Sequence, residues 1–197
     1  TIHDISFVRH PEFFSRGRRA WHWLMEPERL VRQAARIIAV SGATARELVA
    51  RFNVPRERIT VIPSGISPRM ERVEGGDLRA ARARERYGLP RRFLLFLGTL
   101  EPRKNLDGLL EAYQSVRREG FPHTLVLSGL RGWMDRAFFA RLRAHPYARD
   151  ILLTDFVEDD DKPAVYSLAE LFVYPSFYEG FGFPPLEALA AGTPVVT

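Results

Sequence analysis

A parallel α/β sheet with helices on both faces is the fold class that this 197-residue sequence predicts, and three observations carry it. Short apolar runs stand at 93–97, 124–128, 151–154, 171–174 and 194–197. Runs of that length, apolar on both sides, suit strands buried between two layers. The segments between them change period. Within 105–118, apolar side chains fall at Leu106, Leu109, Leu110, Tyr113 and Val116, one stripe of a helix. The connections are only a few residues long, and strand–helix–strand units joined this tightly build parallel sheets.

Taken in order, the elements of the first half are less regular. Residues 36–40 read as a strand, and Ser41 is placed to cap a helix over 43–52. Residues 59–62 read as a strand, followed by a turn at Pro63-Ser-Gly65. Pro68, Gly75 and Gly76 mark 67–77 as a linker, so a domain boundary is expected near 65–76. The strand at 93–97 ends at Gly98, and Gly120 and Pro122 stop the helix that follows. The strand at 124–128 ends at Gly129 and leads to a helix over 133–145. Strand 151–154, a short helix at 162–169 and strand 171–174 come next. Pro184 and Pro185 open a helix through Ala191, proline being pre-set for a first helical turn. A fifth strand begins at 194–197. The chain starts on a candidate site residue, His3, with no strand before it, and stops inside a strand. Both ends read as cuts through a larger protein.

Composition narrows the function classes. Apolar residues make up 46% and charged residues 27%, enough for a full core. No run of 18 apolar residues encodes a transmembrane helix. Thr1 opens directly into Ile-His-Asp, with no charged-then-apolar leader expected. The absence of cysteine excludes disulfides, thiolate metal ligands and a cysteine nucleophile, and a cytoplasmic location agrees with it. Lys104 and Lys162 are the two lysines among 29 basic residues, leaving 27 arginines. Residues 1–92 hold 19 basic against 10 acidic side chains and residues 93–197 hold 10 against 14, which sums to the net +5. A basic first half suits an anionic partner, or simply solvated arginine-rich helix faces.

In parallel sheets ligands sit at the carboxyl ends of strands, which directs attention to 98–105, 128–133, 155–161 and 176–185. Ser176-Phe-Tyr-Glu-Gly-Phe-Gly-Phe-Pro-Pro-Leu-Glu187 places Glu179 and Glu187 eight positions apart. Gly180 and Gly182 between them let backbone approach a ligand closely. The helix that follows offers an anion its first amides. Glu187, expected in the first helical turn, can accept two hydrogen bonds from a vicinal diol, or simply complement the helix dipole. In Gly98-Thr-Leu-Glu-Pro-Arg-Lys-Asn105, Arg103 and Lys104 put two positive charges beside a strand end. Cations at a helix start oppose its dipole, so this placement calls for something negative, such as a diphosphate.

The Glu-x7-Glu pair, the 98–105 loop and Val61-Ile-Pro-Ser-Gly65, with Ala39-Val-Ser-Gly-Ala-Thr-Ala-Arg-Glu-Leu48, together resemble the retaining glycosyltransferases of family 4, which have the GT-B fold. The resemblance is strongest to bacterial mannosyltransferases that build O-antigen or other surface polysaccharides. It implies that 1–66 is the end part of an N-terminal, acceptor-side Rossmann-like domain. Residues 67–92 are then the linker and the start of a C-terminal domain, and 93–197 its nucleotide-sugar-binding part, incomplete at its end. It further implies that Lys104 contacts the donor's pyrophosphate and that Glu187 holds the ribose. Glu179 lies near the donor sugar, with the amides of Gly180, Phe181 and Gly182 beside sugar and phosphate. Val157 matches a position whose backbone meets the base, and Gly98, Gly129 and Gly132 match loops near the donor. The family often carries an arginine where Thr99 stands, which leaves Arg103 as the candidate second positive charge. His3 resembles a histidine that contacts the transferred sugar. In the family, retention is ascribed to same-face attack, with the leaving phosphate taking the acceptor's proton, so no protein nucleophile is needed.

These implications give an expected enzyme: a hexosyltransferase using a nucleotide-diphosphate sugar, GDP-mannose by preference, without metal or cofactor. The acceptor would be a glycan or a lipid-linked glycan, with no nucleic acid involved. Two other readings compete. A glycoside hydrolase would use Glu179 and Glu187 as its carboxylate pair but leaves Arg103 and Lys104 idle. A non-catalytic nucleotide- or sugar-binding fragment needs only 93–197. Glu158-Asp-Asp-Asp161 has no coordinating pattern around it and reads as negative charge at a helix start. Phe13, Phe14, Trp21 and Trp23 interleave with Arg16, Arg18 and Arg19, a mix that suits peripheral contact with the anionic inner face of a membrane or helix packing.

Overall fold

The computed structural model describes residues 1–197, which divide into two compact units. One comprises Thr1–Gly65 with Tyr178–Gly182, the other Ile66–Phe177 with Phe183–Thr197. The short segment Tyr178–Gly182 therefore departs from the expectation that all of 93–197 forms one domain. Its contacts are with the first unit, where Tyr178 reaches Glu47 and Gly180 lies against His3.

The first unit runs α1 (Ser6–Arg9), α2 (Arg16–Leu24), α3 (Pro27–Gln33), β1 (Ile37–Ala39), α4 (Gly42–Phe52) and β2 (Ile59–Val61). β1 and β2 pair in parallel, Ile37 opposite Ile59. Ile2 adds a parallel bridge to Ala39, its N–H donating to Ile38 O at 2.8 Å. His3 thus follows a strand-like position instead of a loose end. The Ser41 hydroxyl caps α4 by accepting from Thr44 N at 3.1 Å, which starts that helix at Gly42. The core gathers Ile5, Ile37, Leu48, Phe52, Val54 and Ile59. α2 and α3 escape a periodicity reading for a physical reason: between them only Val31 is buried. No helix of the chain is long and apolar enough to cross a membrane.

The second unit runs α5 (Leu78–Tyr87), β3 (Phe93–Leu97), α6 (Leu106–Arg118), β4 (Thr124–Ser128), α7 (Arg136–Ala144), β5 (Ile151–Thr154), α8 (Lys162–Leu168), β6 (Leu171–Val173), α9 (Phe183–Ala190) and β7 (Val195–Val196). The five strands form one parallel sheet in the order β5-β4-β3-β6-β7. All five residues of β3 are buried, as its unbroken apolar run requires. Leu106, Leu109, Leu110 and Tyr113 form the buried face of α6. Two helix starts differ from expectation. α7 begins at Arg136 because Asp135 caps it, accepting from Phe138 N at 2.7 Å. α9 begins at Phe183, one residue ahead of the proline pair. α5, inside the stretch read as linker and domain start, is capped by Asp77 and closed by Gly88 at φ 61°. Its buried face is only Ala80 and Ala83, set among arginines.

The strand order reverses at β3. The chain moves outward through β4 and β5, then returns to the other side of β3 as β6. In parallel sheets with this order, a ligand is expected at the carboxyl ends of the strands where the order reverses, here β3 and β6. On the β4 side the connections stay zipped. Gly98 N–H donates to Ser128 O and Leu100 N–H to Leu130 O, both at 2.9 Å. This closeness requires glycine: Gly129 sits at φ +133°, and a Cβ there would lie 2.2 Å from Gly98 O.

At the opposite, amino-terminal edge, Glu170 accepts from Arg92 Nε at 2.9 Å and pairs with the buried His123. The Arg92 hydrogen bond first, and that of His123 second, hold the Glu170 carboxyl at about 2. A carboxyl depressed in the folded state stabilises above its ordinary value of 4.5 and loses that contribution as pH falls towards 2. Glu170→Gln is expected to cost about 1 kcal/mol at pH 7, because the carboxylate is half exposed and screened, and only a small part of that at pH 2, where the folded-state carboxyl is about half protonated. Urea unfolding at the two pH values measures the difference. Gly129→Ala is expected to cost about 2–5 kcal/mol from left-handed strain plus the backbone clash, whereas Gly75→Ala, with open space around it, stays within about 0.5 kcal/mol of wild type in the same assay.

Candidate functional site

The β3–α6 connection carries Glu101, Arg103 and Lys104 through a single 3₁₀ turn, Pro102–Lys104, and Asn105 in the left-handed region (φ 55°) turns the chain into α6. The sequence places a basic pair here for a diphosphate; the structure buries Lys104 and leaves Arg103 half-buried. Arg103 donates from Nε at 3.0 Å and from Nη2 at 2.6 Å to Glu101 Oε1. Glu101 is itself only 3% exposed. Lys104, 5% exposed, donates from Nζ to the Tyr174 hydroxyl at 2.6 Å and lies 4.8 Å from the centre of that ring. Glu101 Oε1 lies 4.0 Å from its Nζ. Taking an ammonium out of water is costly unless charge and hydrogen bonds replace the lost hydration. Glu101 supplies opposite charge, and Tyr174 an oxygen and the face of a ring.

Tyr174 stands at the carboxyl end of β6. Its ring stacks between Phe96 of β3 and Phe172 of β6, with 5.6 Å between centroids on each side. Phe172 meets Tyr166 of α8 edge-on at 5.3 Å. Tyr166 in turn donates its hydroxyl to Glu187 Oε2 at 2.9 Å. Burial, and then the Glu187 carboxylate, push the Tyr166 phenol far above its ordinary range, so it remains a donor at every working pH. Because α9 starts at Phe183, Glu187 stands in its second turn and not in the first. The same start leaves the helix fewer anion-binding amides than a proline-free one, since Pro184 and Pro185 carry no N–H. Glu187 lines a cavity of about 690 Å³ together with Ser67, Arg69, Asp160 and Lys162.

Other expected positions of the second unit gather at the same strand ends. Gly98 and Thr99 face Gly129 and Gly132 across the zipped connections. A Cβ on Gly132 would come within 2.6 Å of the Thr99 methyl and 2.7 Å of Leu100 O. Gly129 N–H donates to Asp155 O at 3.2 Å, tying in the β5 connection, where the Val157 side chain is buried. The chain from β6 is held to the β3 connection by Phe177 N–H donating to Arg103 O at 3.0 Å. Sequence reasoning missed Glu101, Tyr166 and Tyr174. The available signals were an acid three residues before Lys104 and a tyrosine ending an otherwise apolar strand.

In the first unit, Gly180 packs so tightly that a Cβ would lie 2.0 Å from His3 O. The Thr44 hydroxyl donates to Gly180 O at 3.3 Å, and Tyr178 donates to Glu47 Oε2 at 2.5 Å. Burial and Glu47 raise the Tyr178 phenol. His3 is exposed, and Glu179, Phe181 and Gly182 (φ +90°) belong to the same segment.

The acidic run is fully engaged. Asp160 pairs with Arg69 and Asp161 with Arg86, both at 2.9 Å; Glu158 pairs with Arg86 at 3.6 Å and Asp159 with Lys162 at 2.6 Å. The aromatic and basic segment forms α2, none of whose residues is buried. Trp23 is 80% and Leu24 74% exposed, and Trp21 and Leu30 are more than half exposed. Beside them an open cavity of about 1320 Å³ is lined by apolar Phe7, Pro27 and Phe52 and by Arg16, Arg19 and Arg32.

Comparison with known proteins places this geometry. Residues 79–197 match the family model for glycosyl transferases group 1, and residues 1–69 match that for Glycosyltransferase Family 4. The O-antigen chain mannosyltransferase B of Escherichia coli is 36% identical over all of this chain and 51% of its own length. Sucrose-phosphate synthase from Thermosynechococcus elongatus superposes with a TM-score of 0.76 at 22% identity, covering 98% of this chain and 48% of that one. Anabaena Alr3699/HepE in complex with UDP-glucose gives 0.76 at 21% identity, covering 98% and 51%. The chain thus spans about half the length of these relatives. With the family model matching more than half of its residues and its parallel sheet matching the GT-B structures, the chain belongs to the glycosyl transferases group 1 family.

Proposed function

We propose that the second unit binds a nucleotide-diphosphate sugar at the carboxyl ends of β3 and β6. The protein to which the chain belongs would then transfer the sugar, with retention, to a glycan or lipid-linked acceptor. The observation that carries this reading is Lys104, a buried ammonium on the β3–α6 connection at the point where the sheet order reverses. Its role is to meet the pyrophosphate. Arg103 fixes the loop through Glu101, so Lys104 carries most of the charge stabilisation. Glu187 accepts from the ribose hydroxyls, Glu179 and His3 serve the transferred sugar, and the backbone at Gly98, Thr99, Gly129, Gly132 and Val157 borders the nucleotide. The 36% identity to an O-antigen mannosyltransferase supports mannose as the sugar, GDP-mannose as the donor and surface polysaccharide synthesis as the setting.

The chemistry follows from where charge develops. Breaking the bond from sugar C1 to phosphate oxygen leaves positive charge on the sugar and negative charge on the diphosphate. Preorganised cations and amides stabilise that negative charge without having to reorient, the role a metal would otherwise fill. The acceptor hydroxyl attacks C1 on the face the phosphate leaves, and its proton passes to the departing phosphate oxygen. Alignment of the two by itself lowers the barrier by up to several kcal/mol. A two-carboxylate hydrolase would leave the buried Lys104 without a task.

The exposed tryptophans of α2, rimmed by arginines, support a peripheral location at an anionic membrane face, where indole rings sit among headgroups and guanidinium groups pair with phosphates. A lipid-linked acceptor would be presented at that surface.

Two outcomes are expected. In calorimetry the chain binds GDP or UDP, and Lys104→Ala or Glu187→Ala weakens binding at least tenfold, about 1.4 kcal/mol; unchanged affinity in both variants removes the site assignment. In vesicle co-sedimentation the chain binds vesicles containing phosphatidylglycerol and not pure phosphatidylcholine, and replacing Trp21 and Trp23 by serine reduces binding at least fivefold. Equal binding by the double variant removes the membrane assignment.

A further inference from the structure

Two charged groups of the donor site are each held by a phenol, and the two phenols belong to one buried aromatic column. Phe96, Tyr174, Phe172 and Tyr166 follow one another at 5.6, 5.6 and 5.3 Å between ring centroids. All four are between 0% and 3% exposed. The two phenylalanines stay entirely apolar, whereas each tyrosine hydroxyl meets a charge. Tyr174 accepts from Lys104 Nζ at 2.6 Å, and Tyr166 donates to Glu187 Oε2 at 2.9 Å.

We infer that Tyr174 and Tyr166 are positioning residues of the donor site: Tyr174 sets the Lys104 ammonium against the diphosphate, and Tyr166 sets the Glu187 carboxylate against the pentose. The inference rests on the donor-site reading given above. Its physical basis is the cost of freedom. Lysine has a long, rotamer-rich side chain, and holding it in one place before the ligand arrives removes an ordering penalty from binding. Tyr174 does so with both its oxygen and its ring, and that ring is clamped on two sides. Glu187 has two oxygens; with Oε2 committed to Tyr166, the carboxylate plane is fixed and Oε1 is oriented by it. Neither phenol is placed to touch the reacting bond in this reading; each acts through its charged partner.

The column explains why two tyrosines occupy fully buried positions that phenylalanine would fill equally well by shape. A hydroxyl in such surroundings is retained at a desolvation cost that its hydrogen bond must offset.

The test uses Tyr174→Phe and Tyr166→Phe, which keep every ring contact and remove one oxygen each. Titration calorimetry with GDP, 2′,3′-dideoxy-GDP and inorganic pyrophosphate reads the two ends of the ligand separately. Tyr174→Phe is expected to weaken all three about tenfold. Tyr166→Phe is expected to weaken GDP about tenfold and to bind the dideoxy analogue and pyrophosphate as wild type does. A merely structural role cannot produce that split. Wild-type affinity for every ligand in both variants overturns the inference, and so does a uniform loss in both accompanied by a large fall in Tm. If wild-type protein binds none of the three, the donor-site reading itself fails. If it binds and only the variants depart from expectation, the failure belongs to the column alone.

Discussion

A lysine ammonium buried to 5% exposure must be given back what water gave it, and this one receives it from two directions. Glu101 supplies opposite charge from its own connection, and Tyr174 supplies an oxygen and a ring from the neighbouring strand. That second contact exists only because β6 lies beside β3. Had the sheet continued outward from β5, the chain after β6 would emerge with two strands between it and β3. The reversal in strand order is thus what gathers Lys104, Tyr174 and the turn between them at the same strand ends.

Around that point the chain uses different means on its two sides. Towards β4 the connections are pulled together until only glycine fits at Gly129 and Gly132. Towards β6 they are joined by one backbone hydrogen bond, Phe177 to Arg103, and otherwise by side chains. The first side is a rigid wall made of backbone; the second is a set of polar groups anchored on aromatic rings.

Much of the second unit was legible before any coordinates, because strands buried on both faces leave unbroken apolar runs and α6 leaves a clean stripe. Position of Lys104 on a strand-end loop followed from the same pattern. What stayed hidden had definite causes. α5 buries two alanines, whose small side chains barely mark a face among arginines. α2 and α3 bury almost nothing. The engagement of Arg103 by Glu101 is a contact two residues away, invisible to a reading that treats basic side chains as available for ligands. The membership of Tyr178–Gly182 in the first unit depends on a close approach to His3, nearly the whole length of the chain away in sequence.

The near-exclusive use of arginine gives this chain an unusual chemical surface. Guanidinium groups stay protonated and resist acylation, so ordinary amine-directed reagents find only two side-chain targets. Lys162 is tied to Asp159 with about a fifth of its side chain accessible, and Lys104 is sealed under an aromatic ring. Twenty-seven of the 29 basic charges are therefore permanent, insensitive to acetylation or mild alkali, and the amine at the strand ends where the order reverses is the one least open to covalent attack.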